Sequence, residues 1–280
     1  MRIVPCSTFE GFMNAMGQLS PGEETLLVNQ SHGHLDDFRR GVAEAEGFLT
    51  DVDGSVFAGN EWKLARDVMT APLREADLAD LQAYASGGER TDVDDIGFIF
   101  RSIARLQESH FSRGALRALA KQPAREGAEG LIRSFGEGGG DMVCAVSYGM
   151  YDWIDGWFDH MLGQDHKVAI MALRLRWSGR WLIGFDPATV VTDGNKGYMA
   201  NVWRATCGLR AGRTMALVDS PTDLKMLHPE YVSVLIVPPN DPEAWRQKHR
   251  NDGFGLLWPR VSAVLVSDSL QSLVEMRQAR

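Results

Sequence analysis

His166 opens an apolar run to Leu175 that passes through a Trp177-Ser178-Gly179-Arg180 turn and returns along Trp181–Phe185 to Asp186 and Pro187. Folded as a hairpin, the run brings His166 and Asp186 together at its open end. A base held by a carboxylate orienter is what a thiol hydrolase or acyltransferase needs, because the acid sets the tautomer and stabilises the imidazolium. The nucleophile is then one of two cysteines. Cys144 sits in Val143–Tyr148, ahead of Tyr151–Trp153, and Cys6 directly precedes a helix start, where orphan N–H groups favour a thiolate. Cys207 closes a helical stretch, where the dipole disfavours the anion. A plainer reading makes His166 a strand-start histidine, Asp186-Pro187 a turn, and each cysteine a small buried side chain.

A second constellation is His32-Gly33-His34-Leu35-Asp36-Asp37, which follows the apolar strand Leu26–Val28. Two imidazoles and a carboxylate on one tight loop, His32, His34 and Asp36, suit zinc or another borderline metal. Further ligands would come from His110, Asp141 or His166. The alternative is a polar loop at a strand end.

The order of histidine run, hairpin, Phe185-Asp186-Pro187-Ala188, helix and strand resembles the catalytic half of papain-like cysteine effectors of bacterial pathogens, the Yop-type proteases and acetyltransferases, over roughly residues 166–218. The resemblance implies a soluble peptidase, deamidase or acyltransferase acting on a protein or peptide, with no cofactor. It implies His166 as base, Asp186 as orienter, and Cys144 or Cys6 as nucleophile. In the acetyltransferase branch a cysteine follows the next strand, where this chain reads Asp219-Ser220-Pro221-Thr222-Asp223, so a non-catalytic interaction module on an enzyme scaffold is an alternative. The His32–Asp37 loop is similar to the metal signature of the metallo-β-lactamase superfamily. That resemblance implies a zinc-dependent hydrolase.

These residues need a scaffold, and the 280-residue chain can build one: 44% of it is hydrophobic and 24% charged. A net charge of -8 disfavours nucleic acid as the main partner. Three scattered cysteines make no disulfide framework, and no apolar run reaches the roughly 18 residues of a membrane span. We expect cytoplasmic residence or leaderless export. Residues 1–71 read as an α/β segment: a capped helix after Ser7, a strand at Glu24–Asn29, a helix from Phe38 to Phe48, a strand at Ser55–Ala58 and a helix from Asn60 to Met69. Apolar residues at three- and four-residue steps make 72–135 a helical insertion, including Leu78, Leu81 and Tyr84, then Ile96, Ile99 and Phe100. A glycine joint at 136–140 leads to a mixed-sheet segment, 141–280. The expected fold is mixed α/β (α+β), with a largely antiparallel central sheet flanked by helices.

Overall fold

The computed structural model describes residues 1–86, 91–136, 142–249 and 254–279. Asp141 lies outside them, as do residues 137–140 of the glycine joint. The strands are β1 (Arg2–Cys6), β2 (Thr25–Asn29), β3 (Gly47–Thr50), β4 (Val143–Met150), β5 (Ala169–Leu173), β6 (Leu175–Ser178), β7 (Trp181–Phe185), β8 (Thr214–Val218), β9 (Val232–Val237) and β10 (Ala263–Val266). The helices are α1 (Phe9–Met16), α2 (Leu35–Glu44), α3 (Glu61–Asp67), α4 (Ala71–Ser86), α5 (Asp92–Glu108), α6 (Arg113–Leu119), α7 (Ala128–Arg133), α8 (Tyr151–Leu162), α9 (Lys196–Thr206), α10 (Pro242–His249), α11 (Phe254–Leu257) and α12 (Gln271–Gln278).

The eight-stranded sheet runs in the order β1-β2-β10-β9-β8-β3-β4-β5, and β6 and β7 form a separate hairpin. From β10 to β5 every pairing is parallel, while β2 meets β10 antiparallel and carries β1 with it. The mixed α/β class is therefore borne out, but the sheet is mostly parallel where antiparallel pairing was expected. The reason lies in burial. Phe48, Val143, Ala145, Met215, Leu217 and Val234 face one helical layer, and Leu49, Cys144, Val146, Ala216, Val218 and Leu235 face the other. A strand covered on both faces reads as a continuous apolar run, which does not reveal the direction of its neighbour.

Two local expectations change as well. The helix expected to reach Phe48 stops at Glu44, and Gly47–Thr50 forms the central strand instead. Ser55–Ala58, expected as a strand, folds back beneath β3, with Phe57 N–H donating to Val52 O. Of the expected hairpin, residues 175–178 and 181–185 pair, whereas β5 joins the main sheet beside β4.

Chain order reverses at β3. β4 and β5 extend the sheet on one side of it, and β8, β9 and β10 on the other. The connection from β3 to β4 holds α3 to α7, so the helical segment rises from the strand ends at that crevice. In parallel sheets, ligands bind outside the carboxyl ends of strands at such a reversal.

Candidate active site

Two strands meeting at the reversal end in aspartates. Asp51 and Asp53 follow β3, and Asp219 follows β8; Asp51 N–H donates to Leu217 O across the pair. After Asp53 the chain turns at Gly54, whose φ of 72° places it in the left-handed region. A Cβ on Gly54 would lie 1.9 Å from Asp219 Oδ2, so a glycine lets the two loops close on each other. The turn delivers Asn60 as N-cap of α3, and Glu61 N–H donates to both Asp53 oxygens at 3.1 Å while Asn60 Nδ2 donates at 3.0 Å. Asp53 is thus held at a helix start.

Lys196 arrives from the opposite layer at the first turn of α9. Its ammonium is fully buried, 2.8 Å from Asp51 Oδ1 and in direct contact with Asp223 Oδ1. Asp223 sits in a 3₁₀ turn (Pro221–Met226) and also accepts from Ser220 Oγ at 2.5 Å. Burial by itself would lower the lysine, but Asp223 and Asp51 outweigh it and hold the ammonium above its ordinary value. The carboxyls move the other way. Desolvation pushes Asp51 up to about 6 against the pull of Lys196, and pushes Asp53 and Asp219 well above the usual range, reinforced by neighbouring carboxylates.

That imbalance tests whether a cation belongs here. Oxygens of Asp51, Asp219 and Asp223 lie within 4.8 Å of one another, and Lys196 is the one ammonium paired with them among the described residues. All-carboxylate donors carrying uncompensated charge fit a hard divalent ion such as Mg²⁺. These three aspartates would hold it, and it would neutralise charge on a bound anion.

The expected catalytic residues lie elsewhere. Cys144 is wholly buried in the second residue of β4, its thiol pushed far up by burial. Cys6 ends β1, buried and likewise raised by burial. His166 precedes β5, with Nε2 3.6 Å from Asp155 and 3.7 Å from Asp159 on α8. Asp186 instead accepts from Ala188 N–H and lies 3.7 Å from Arg176, so neither of its contacts is the histidine. Cys207 is the exposed C-cap of α9. Because β2 runs against the central strands, the loop after it lies at the other end of the sheet from Asp51. There His32 Nε2 meets Pro259 O at 2.7 Å, His34 is the N-cap of α2, and Asp36 is exposed and 3.8 Å from Arg39. His110 takes a positive φ after α5 and stacks edge-on to Trp181. Zinc on this loop, and the absence of any cofactor, both give way to the aspartate cluster.

The site residues themselves went unread in the sequence. The signal was an apolar strand ending in acid: Phe48-Leu49-Thr50-Asp51-Val52-Asp53-Gly54, then Ala216-Leu217-Val218-Asp219 with Asp223 one turn later.

No protein-family profile matches the chain, and no curated protein does. Solved structures do. Cytosolic 5'-nucleotidase IIIB bound to cytidine superposes with a TM-score of 0.60 at 10% identity, covering 87% of this chain and 89% of that one. A phosphoserine phosphatase, solved as a phospho-aspartyl intermediate analogue, gives 0.54 at 14% identity, over 83% and 98%. A HAD family hydrolase from Salmonella enterica subsp. enterica serovar Typhi gives 0.54 at 16%, over 72% and 66%. The chain shares their fold. This overturns the papain-like and metallo-β-lactamase resemblances, and with them the thiol protease or acyltransferase activity and the protein or peptide substrate. Two of these neighbours are named for small compounds, a nucleotide and phosphoserine. Among the described residues no helix is long and apolar enough to cross a membrane.

Proposed function

We propose that the protein is a divalent-cation-dependent phosphatase of small phosphomonoesters, with Asp51 as nucleophile. The observation that carries this reading is Lys196 buried between Asp51 and Asp223, beside Asp219, at the carboxyl ends of β3 and β8. Lys196 holds one oxygen of Asp51 and so orients the carboxylate, and its charge favours an incoming phosphoryl group. Asp51 attacks phosphorus, the ester P–O bond breaks, and an aspartyl phosphate forms. Asp53 is the acid for the departing alkoxide: its raised affinity for a proton keeps one available, and the α3 start fixes its aim. Returned to the carboxylate, it takes a proton from the water that hydrolyses the acyl phosphate.

Ser147, on β4 beyond the register partner of Thr50, accepts Gly149 N–H and keeps its own proton to donate to phosphate oxygen. The solved phospho-aspartyl analogue of a neighbour supports the covalent route. A neighbour named as cytosolic supports cytoplasmic residence.

The test is release of phosphate from p-nitrophenyl phosphate with Mg²⁺. Asp51→Asn should remove activity by at least about 10³-fold, as expected when a nucleophile is lost. Activity that survives in Asp51→Asn, or that ignores a chelator, defeats the proposal.

A further inference from the structure

At the carboxyl end of β4, the strand next to β3, the register against β5 slips. Val146 partners Met171, whereas Met150 partners Leu173, so the stretch from Ser147 to Gly149 arches out of the ladder. A bulge of this kind re-aims a side chain and gives up the sheet as a source of backbone partners. Ser147 is the first residue of the arch.

The start of α3 supplies those partners. Glu61 Oε1 accepts the Met150 N–H, and Trp62 Nε1 donates to Tyr148 O at 3.4 Å, so two consecutive residues grip the arch on either side of Gly149. The Glu61 carboxyl also fills the space that a side chain at position 149 would need, since a Cβ there would collide with both of its oxygens. Gly149 N–H in turn donates to Ser147 Oγ at 3.1 Å. A hydroxyl has one proton and two lone pairs, so this bond occupies an acceptor position and leaves the proton to give.

As a stabiliser of the fold alone, Glu61 is a poor choice. It is 1% exposed, one oxygen serves Met150, and Oε2 has no hydrogen-bond partner among the described residues. A buried carboxyl so incompletely satisfied weakens a fold. Burial and the neighbouring Asp53 carboxyl push it well above the ordinary range, so it is held neutral. Its backbone N–H meanwhile donates to both oxygens of Asp53 at 3.1 Å. One residue therefore holds the acid through its main chain and the arch that carries the serine through its side chain.

We propose that Glu61 is a positioning residue for Ser147: its carboxyl sets the Gly149–Met150 peptide, and that peptide aims the serine hydroxyl at a phosphate bound beside Asp51. The inference rests on the phosphatase reading and adds to it a residue that acts without touching the substrate.

The experiment measures kcat and KM for p-nitrophenyl phosphate with Mg²⁺. Glu61→Met keeps the bulk and removes the acceptor, and it should raise KM about tenfold, the size of one hydrogen bond to a charged group. kcat should fall less, because a serine–phosphate bond is made in the ground state and the transition state alike. Glu61→Gln keeps an oxygen for Met150 and copies the neutral carboxyl, so it should restore most of the loss. A residue that acts through Ser147 adds nothing once the serine is gone, so Glu61→Met should not raise the KM of Ser147→Ala further. Thermal unfolding checks that each variant is folded, and Glu61→Asp, which draws the carboxyl back from Met150 by one methylene, replaces Glu61→Met if that variant does not fold. An unchanged KM, no recovery with glutamine, or an effect that adds in full to that of Ser147→Ala overturns the inference and leaves the phosphatase reading standing. With no turnover by the wild type the phosphatase reading falls, and calorimetric binding of inorganic phosphate with Mg²⁺ tests the positioning role alone. A tenfold loss of affinity in Glu61→Met that is absent in the Ser147→Ala background upholds it; equal affinity, or no binding by the wild type, sinks it as well.

Discussion

Replacing Lys196 with Met removes the buried ammonium while roughly keeping its bulk, and the structure sets the size of the result. The lysine contacts Asp51 and Asp223 with almost no exposure to water, so its loss leaves carboxylates facing one another in a desolvated cleft. Breaking a buried pair by removing one partner costs about 3–5 kcal/mol. The folded state raises the affinity of Lys196 for its proton, so its contribution is complete below the ordinary lysine value and is lost only as pH rises through the shifted one. At neutral pH the whole effect is therefore on view. With a urea m-value of about 3 kcal/mol per M, the midpoint should fall by about 1–1.7 M. Fluorescence of Trp153 and Trp157, both fully buried and stacked 6.1 Å apart, reports the transition. A midpoint shift below about 0.3 M, roughly 1 kcal/mol, would show that the ammonium does not balance this cluster and would remove the basis for its orienting role.

Other consequences are testable alongside it. Mg²⁺ at a hundredfold excess over its Kd should stabilise the wild type by about 2.7 kcal/mol, read as a concentration-dependent rise in Tm, and Asp219→Asn should abolish most of that rise. Arg125 is buried and donates to Gly54 O, Ser55 O and Ser267 O, holding the loop that aims Asp53. Arg125→Ala should lower kcat more than it raises KM, and an unchanged kcat would show that the loop holds itself. A Cβ at Gly149 would lie 2.2 Å from Glu61 Oε1, which accepts the Met150 N–H, so Gly149→Ala should cost about 1–3 kcal/mol in chemical denaturation. Glu61→Ala should recover part of that loss in the double variant, and strict additivity would refute the contact. Because burial pushes the Cys144 thiol far up, it should resist iodoacetamide even at mildly alkaline pH, and Cys144→Ala should leave the proposed phosphate release unchanged; inactivation by alkylation of Cys144 would contradict this.

What local chemistry dictates was legible in the residues themselves. The mixed α/β character, the helix beginning near Ser7 and the turn between residues 178 and 181 follow from periodicity, capping and turn residues acting over a few positions, whereas most of the 166–175 run expected in the hairpin joined the main sheet instead. The site is not of that kind. Asp51, Lys196, Asp219 and Asp223 are scattered along the chain, and they meet only because β8 pairs with β3 in parallel register and α9 delivers a lysine from the opposite layer. Strand direction was equally hidden, since residues buried on both faces carry no alternation to read. His166 and Asp186 drew attention through their types, yet α8 supplies the histidine's partners and a 3₁₀ turn takes the aspartate. Residue types announce which chemistry is available, but burial and strand order decide which charges are brought close enough, in a dry enough place, to use it.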